Sequence, residues 1–258
     1  DEDAAKPKRG FWQSIAVPAL AILTGLLIGA ILIALSSQRV YEAFGQGVAQ
    51  GLGTAVNEIW SSYKALFSGA FGNFGKIVSA FQDGSPQKIR VAVNPFLESL
   101  VVATPYIFSG LAVALGFRAG LFNIGVEGQL FIGALCSTFV GYSIKGLPGF
   151  IHMPLALLAG MAGGAFWGFI PGFLKAKTGG HEVINTIMMN YIAFRLTDWL
   201  LTGPMTRQGA GSMPVSPIIE ESAQIPQFFP SPIRFHLGFF MALAVAWLIW
   251  WLLFKTTW

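Results

Sequence analysis

The sequence predicts an all-α integral membrane protein with about six transmembrane helices. Three observations predict it. First, 54% of the 258 residues are hydrophobic and only 11% are charged, whereas soluble domains run near a quarter charged. The mean hydropathy is accordingly high, at +0.62. Second, the apolar residues gather into runs of about 20, the length that crosses a bilayer as a helix. Third, polar groups concentrate inside a few of those runs. The chief case is "GLFNIGVEGQ", residues 120–129, where an interrupted helix is one of two readings.

Taken in order, the first run covers residues 11–35 with no charged residue, behind a basic flank of Lys6, Lys8 and Arg9. A secretory leader also starts on basic residues, but its apolar core is only about 7–15 residues long. A retained membrane helix is therefore expected. The second run is 96–117 and contains Pro105, which removes one backbone hydrogen bond and should kink the helix. The third is 121–142. The fourth, 154–174, places Gly160, Gly164, Gly168 and Gly172 four residues apart, on one helix face, where a neighbouring helix can pack closely. The fifth is 183–201. The sixth, 237–254, carries Trp247, Trp250 and Trp251 towards one end, which suits the membrane–water interface.

One transmembrane domain over 1–258 is expected, with two long extracytoplasmic loops. Residues 37–95 have helical apolar spacing at Ile59, Tyr63, Leu66, Phe67, Phe71 and Phe74, which predicts an amphipathic helix on the membrane surface or on the bundle. Residues 202–236 hold six prolines, too many for a long helix, so an extended cover is expected. With the N-terminus in the cytoplasm, the inner segments hold Lys6, Lys8, Arg9, Arg118, Lys175, Lys177 and Lys255, as the positive-inside rule favours.

The polar residues of 120–129 pose a choice. Residues 129–142 are too few to cross about 30 Å at 1.5 Å per residue, so a span must recruit part of "LFNIGVEG". Asn123 and Glu127 then lie at membrane depth, where a charge must face protein or water. One reading is a broken helix beside a hydrophilic path. The other is a cytoplasmic hairpin loop with Glu127 capping the next helix. The fifth run adds Asn185 and Asn190, which form a polar seam between helices. Phe122, Asn123, Glu127, Gln129, Asn185 and Asn190 are the candidate pathway residues. Arg195 and Asp198, three apart, should pair.

Other classes are disfavoured. The net charge is only +4, with scattered positive residues, so a nucleic-acid surface is not indicated. Three separated histidines and a single cysteine make no metal-ligand cluster. No catalytic nucleophile–base set and no GxxxxGK[ST] phosphate loop is present. Energy from ATP would thus have to come from another subunit.

The residues do resemble a known family. "RAGLFNIGVEGQLFIGA" (118–134), "LKAKTGGHEVINTIMMNYIA" (174–193) and "ATPYIFSGLAVALGFRAGLFNIG" (103–125) resemble ABC-importer permeases of the simple-sugar and nucleoside branch, within the superfamily of branched-chain amino acid permeases. "FNIGVEGQ" resembles the wording of purine-nucleoside permeases that work with a lipoprotein binding protein. The resemblance implies a type II ABC-importer permease fold in the prokaryotic inner membrane. It implies a second permease subunit, two ATPase subunits carrying ATP and Mg, and an extracytoplasmic solute-binding protein. Family members continue beyond "WLLFKTTW" into a cytoplasmic docking stretch, so the sequence is expected to be C-terminally truncated. The alternatives are a sugar or branched-chain amino acid permease, or an ion-coupled secondary transporter, for which Glu127 lacks an evident carboxylate partner.

Overall fold

The computed structural model describes residues 11–209, 211 and 213–256; the basic flank of Lys6, Lys8 and Arg9 lies outside them. Among the described residues the chain is helical with no strand, only an isolated bridge between Gln227 and His236. The helices are α1 (Phe11–Ser36), α2 (Gln38–Gln46), α3 (Val48–Phe71), α4 (Phe74–Asp83), α5 (Pro86–Arg118), α6 (Val126–Ser143), α7 (Gly149–Thr178), α8 (Glu182–Thr202) and α9 (Gly238–Lys255). The chain divides into two compact units, Asp1–Phe96 and Leu97–Trp258. Their boundary falls within α5.

In the first unit, residues 37–95 hold α2, α3, α4 and the start of α5, with helix where the apolar spacing predicts it. Helix α4 begins at Asn73, whose side chain accepts from the Lys76 N–H at 3.2 Å, the usual N-cap arrangement. Helix α3 packs on α1, where the Tyr63 hydroxyl donates to the Leu26 carbonyl. Gly51 faces the Phe44 ring of α2. Leu66, Phe67, Phe71 and Phe74 stay exposed, so the expected apolar stripe forms a helix face without forming a protein core.

In the second unit, α6, α7 and α8 pack together. Ile132, Leu135, Ala193 and Met205 form the buried cluster, with Cys136 and Trp167 against it. Cys136 is a small packed side chain facing Gly163. Close approach of α6 and α7 depends on glycine. A Cβ on Gly133 would sit 2.9 Å from the Gly160 carbonyl, and one on Gly164 would sit 3.3 Å from the Gln129 carbonyl. The predicted stripe thus packs through Gly160, Gly164 and Gly168, but Gly172 faces open space. The last glycine lies beyond the stretch that α6 covers.

Among the described residues four helices are long and apolar enough to cross a bilayer: Ile15–Ser36 of α1, then α5, α7 and α9. The other two predicted spans are α6 and α8, of 18 and 21 residues. They reach about 27 and 31 Å at 1.5 Å per residue, but carry more polar residues. Helix α5 continues through Pro105 as one helix. Residues 213–237 fold back over the ends of α6 and α7. The Glu220 N–H donates to the Gly141 carbonyl at 2.9 Å. His152 of α7, fully buried, holds Ser222 at 2.7 Å through Nδ1 and the Val140 carbonyl at 3.2 Å through Nε2. The carbonyl needs a donor, so Nε2 carries the proton and Nδ1 accepts from the Ser222 hydroxyl.

Candidate functional site

The stretch 120–129 is a junction between two helices, and each of its three glycines has its own reason. Gly120 ends α5 at φ +73°. The Leu121 N–H reaches the Gly116 carbonyl at 2.9 Å, and the Gly120 N–H reaches the Phe117 carbonyl at 3.2 Å. That is the Schellman pattern, whose left-handed residue is best filled by glycine. Residues 121–124 are non-helical, and α6 starts at Val126. Gly125 and Gly128 let α8 come close. A Cβ on Gly125 would lie 3.1 Å from Thr186, and one on Gly128 would lie 2.9 Å from Asn190.

The first turn of a helix leaves its N–H groups without partners. Gly125 has no side chain to cap them. Asn190, buried on α8, does so from outside: its Oδ1 accepts from the Gly128 N–H at 2.8 Å, and its Nδ2 donates to the Ile124 carbonyl at 3.1 Å. Asn123 supports the same turn, its Oδ1 accepting from the Gly125 N–H at 2.9 Å and from Gln129 Nε2 at 3.4 Å. The junction is therefore a broken passage between helices, stitched to α8 by amides. Glu127 lies in the first turn, makes no capping hydrogen bond and is exposed. Its charge still suits the positive end of the helix dipole.

Beside this junction, α5, α6 and α7 border an open cavity of about 540 Å³, within the range of small-molecule sites. Its walls are mostly apolar. Gln129, Ser109 and Ser137 bring polar groups, Phe108 an aromatic ring, and Gly160, Gly164 and Gly168 the floor. Gln129 lies across Gly168, where a Cβ would come within 3.0 Å of its Nε2. The glycine face that packs α7 on α6 thus also shapes the cavity.

Of the predicted pathway residues, only Gln129 lines this cavity. Asn123 and Asn190 hold its supporting turn. Phe122 stacks on Phe117 at 4.9 Å beside a separate, smaller hollow with Glu182. Asn185 is half-buried near Gly180. Phe108, Ser109 and Ser137 were not expected at the site; their spacing on α5 and α6 carries no signal until the two helices meet α7.

The end of this unit that holds the junction is basic. Arg118 lies 4.9 Å over the Phe254 ring, and Lys255 lies 6.0 Å over Trp250. Lys175, in the last turn of α7, pairs with Glu182 at the start of α8. On the loop side, Arg234 pairs with Glu98. Arg195 and Asp198 do pair, at 4.0 Å.

The model of the family "Branched-chain amino acid transport system / permease component" matches residues 96–258. The chain belongs to that family. The match begins at the boundary of the second unit. A guanosine ABC transporter permease protein of Bacillus subtilis is 39% identical over 249 residues, 94% of this chain and 59% of that protein. A glucose ABC transporter permease protein of Haloferax volcanii is 44% identical over 129 residues, 50% of this chain and 33% of that protein. A nucleoside ABC transporter permease protein of Lactococcus lactis is 33% identical over 189 residues, 73% of this chain and 42% of that protein. The chain therefore spans well under two thirds of the length of these relatives. No solved structure matches it. Family and apolar helices together make it a multi-pass membrane protein.

Proposed function

We propose that the chain belongs to a permease subunit of an ATP-driven importer, and that it moves nucleosides through the cavity between α5, α6 and α7. The observation that carries this reading is the cavity itself: an apolar space with one aromatic ring, one amide and two hydroxyls, in a chain similar to permeases named for guanosine and nucleosides. ATP and Mg would act on separate ATPase subunits, and an extracytoplasmic binding protein would supply the solute. A second permease subunit would complete the pathway, as the likeness to this family of permeases suggests. The gathering of Arg118, Lys175, Lys177 and Lys255 at the junction end supports a cytoplasmic position for that end, in the prokaryotic inner membrane, with the N-terminus on the same side.

The likeness to the glucose permease favours a second reading, a sugar as cargo. The test is uptake of labelled guanosine, adenosine and glucose by cells expressing the full-length protein with its ATPase and binding-protein partners. Guanosine accumulation that stops when the ATPase is inactivated is the expected result. Accumulation of glucose alone overturns the nucleoside reading. Uptake that follows an ion gradient and persists without any ATPase overturns the importer.

A further inference from the structure

The cavity's one amide has a fixed orientation. A backbone N–H can only donate, so the Gly125 N–H obliges Asn123 to present its oxygen. That oxygen in turn obliges Gln129 to present its NH₂ side, at 3.4 Å. Turning the Gln129 amide over would set two carbonyl oxygens face to face. Gly168 leaves room for the amide to lie flat on α7. After the bond to Asn123, one N–H and the Oε1 of Gln129 remain without a protein partner among the described residues, and Gln129 lines the cavity. They form a donor and an acceptor side by side, in an order set by the backbone of α6.

We propose that Gln129 is the specificity-determining residue of this cavity and that its fixed amide selects 6-oxopurine nucleosides over 6-aminopurine nucleosides. The proposal rests on the nucleoside reading above. A 6-oxopurine offers an acceptor at O6 beside a donor at N1–H. A 6-aminopurine offers the reverse order, a donor at N6 and an acceptor at N1. An amide free to turn over would meet both. One held by Asn123 meets a single order when the sugar seats the base in one direction, with Ser109 and Ser137 as the hydroxyls that face such a sugar. A matched bidentate contact of this kind discriminates by about 1–3 kcal/mol, roughly 5- to 150-fold.

The experiment compares KM for guanosine and adenosine in the full-length transporter with its partners. The unaltered protein is expected to favour guanosine at least 5-fold. Asn123→Leu, which frees the amide to turn, should bring the two KM values together. Asn123→Asp keeps the acceptor and should keep the preference. If Asn123→Leu does not reach the membrane, Gln129→Glu carries the test: a carboxylate accepts from both N1–H and the 2-amino group of guanine but finds one donor on adenine, so guanosine preference should persist or rise. Equal KM values in the unaltered protein overturn this proposal and leave nucleoside transport standing. So does a preference that survives Asn123→Leu, or a Gln129→Glu protein that keeps adenosine and loses guanosine. Absence of nucleoside uptake in the unaltered protein overturns the functional reading itself.

Discussion

Asn190 closes two hydrogen bonds that the start of α6 cannot close for itself. Its amide sits on the buried stripe of α8 with Thr186, Ala193 and Thr197, where both its oxygen and its nitrogen are engaged by backbone. Removing it leaves the buried Gly128 N–H unmade, which costs about 1–3 kcal/mol. Asn190→Ala should therefore lower the thermal midpoint of the purified protein in detergent. Asn190→Asp keeps the acceptor and should fall between the two. A midpoint unchanged by Asn190→Ala would remove Asn190 from this role. His236 gives a second, pH-dependent case. Its Nδ1 accepts from the Gly238 N–H at 3.1 Å at the start of α9. Burial, and then the nearby Arg234, push its pKa below the ordinary 6.5. The unfolded chain then takes up the proton first, so the stabilising contribution is complete above about pH 6.5 and is lost as the pH falls below it. Thermal midpoints measured from pH 8 to pH 5 should show this decline, and His236→Asn should flatten it. An identical decline in the variant would assign the acid sensitivity elsewhere. Polar residues such as Asn190 were visible in the sequence as a seam, but a side chain bound to backbone and one facing a cavity look alike in a sequence.

The helices show why spacing alone misassigned one glycine. Gly160, Gly164, Gly168 and Gly172 share a face by their interval of four, yet contact is made only where α6 runs alongside. Gly133→Ala would bring a methyl group to 2.9 Å from the Gly160 carbonyl. Backbone must move to admit it, at about 1–3 kcal/mol. Gly172→Ala meets nothing within 4 Å and should be neutral or stabilising by up to about 1 kcal/mol, because alanine restricts the unfolded chain. Thermal unfolding of the two variants checks the difference; equal midpoints would contradict the packing described for α6 and α7. The segment 37–95 shows what spacing along the chain leaves out. Its helical spacing was legible, but its length as a loop was not, because glycines at 47, 72 and 84 divide it into short helices that apolar spacing reads as one. The prolines of 202–236 were a sounder guide, since a residue without an N–H excludes long helix wherever the chain goes.

For the whole molecule, orientation is the property most open to direct measurement. With Cys136 replaced by alanine to remove the native thiol, Lys177→Cys should react with a membrane-impermeant maleimide only from the cytoplasmic face. A cysteine in place of Lys145, between α6 and α7, should react only from the opposite face. The reverse pattern would invert the proposed topology. Exposed Trp247, Trp250 and Trp251 lie on the same helix end as Lys255, where the headgroup region suits their mixed apolar and polar rings. Much of the apolar surface of α1 is likewise exposed, as lipid contact requires and an aqueous surface would not tolerate.

The membrane class, the helix type and the family were determined by the sequence itself. They depend on composition, on the length of apolar runs and on short motifs, all of which are local. The tertiary structure decided which of the polar residues do which work. Gln129 faces a cavity, Asn123 orients it, Asn190 caps a helix from across an interface, and Glu127 is left exposed on its own chain. Those assignments follow from distances between helices tens of residues apart. Gly128 and Asn190, 62 positions apart, carry no sequence signal of their contact, because it is made by packing and not by spacing along the chain.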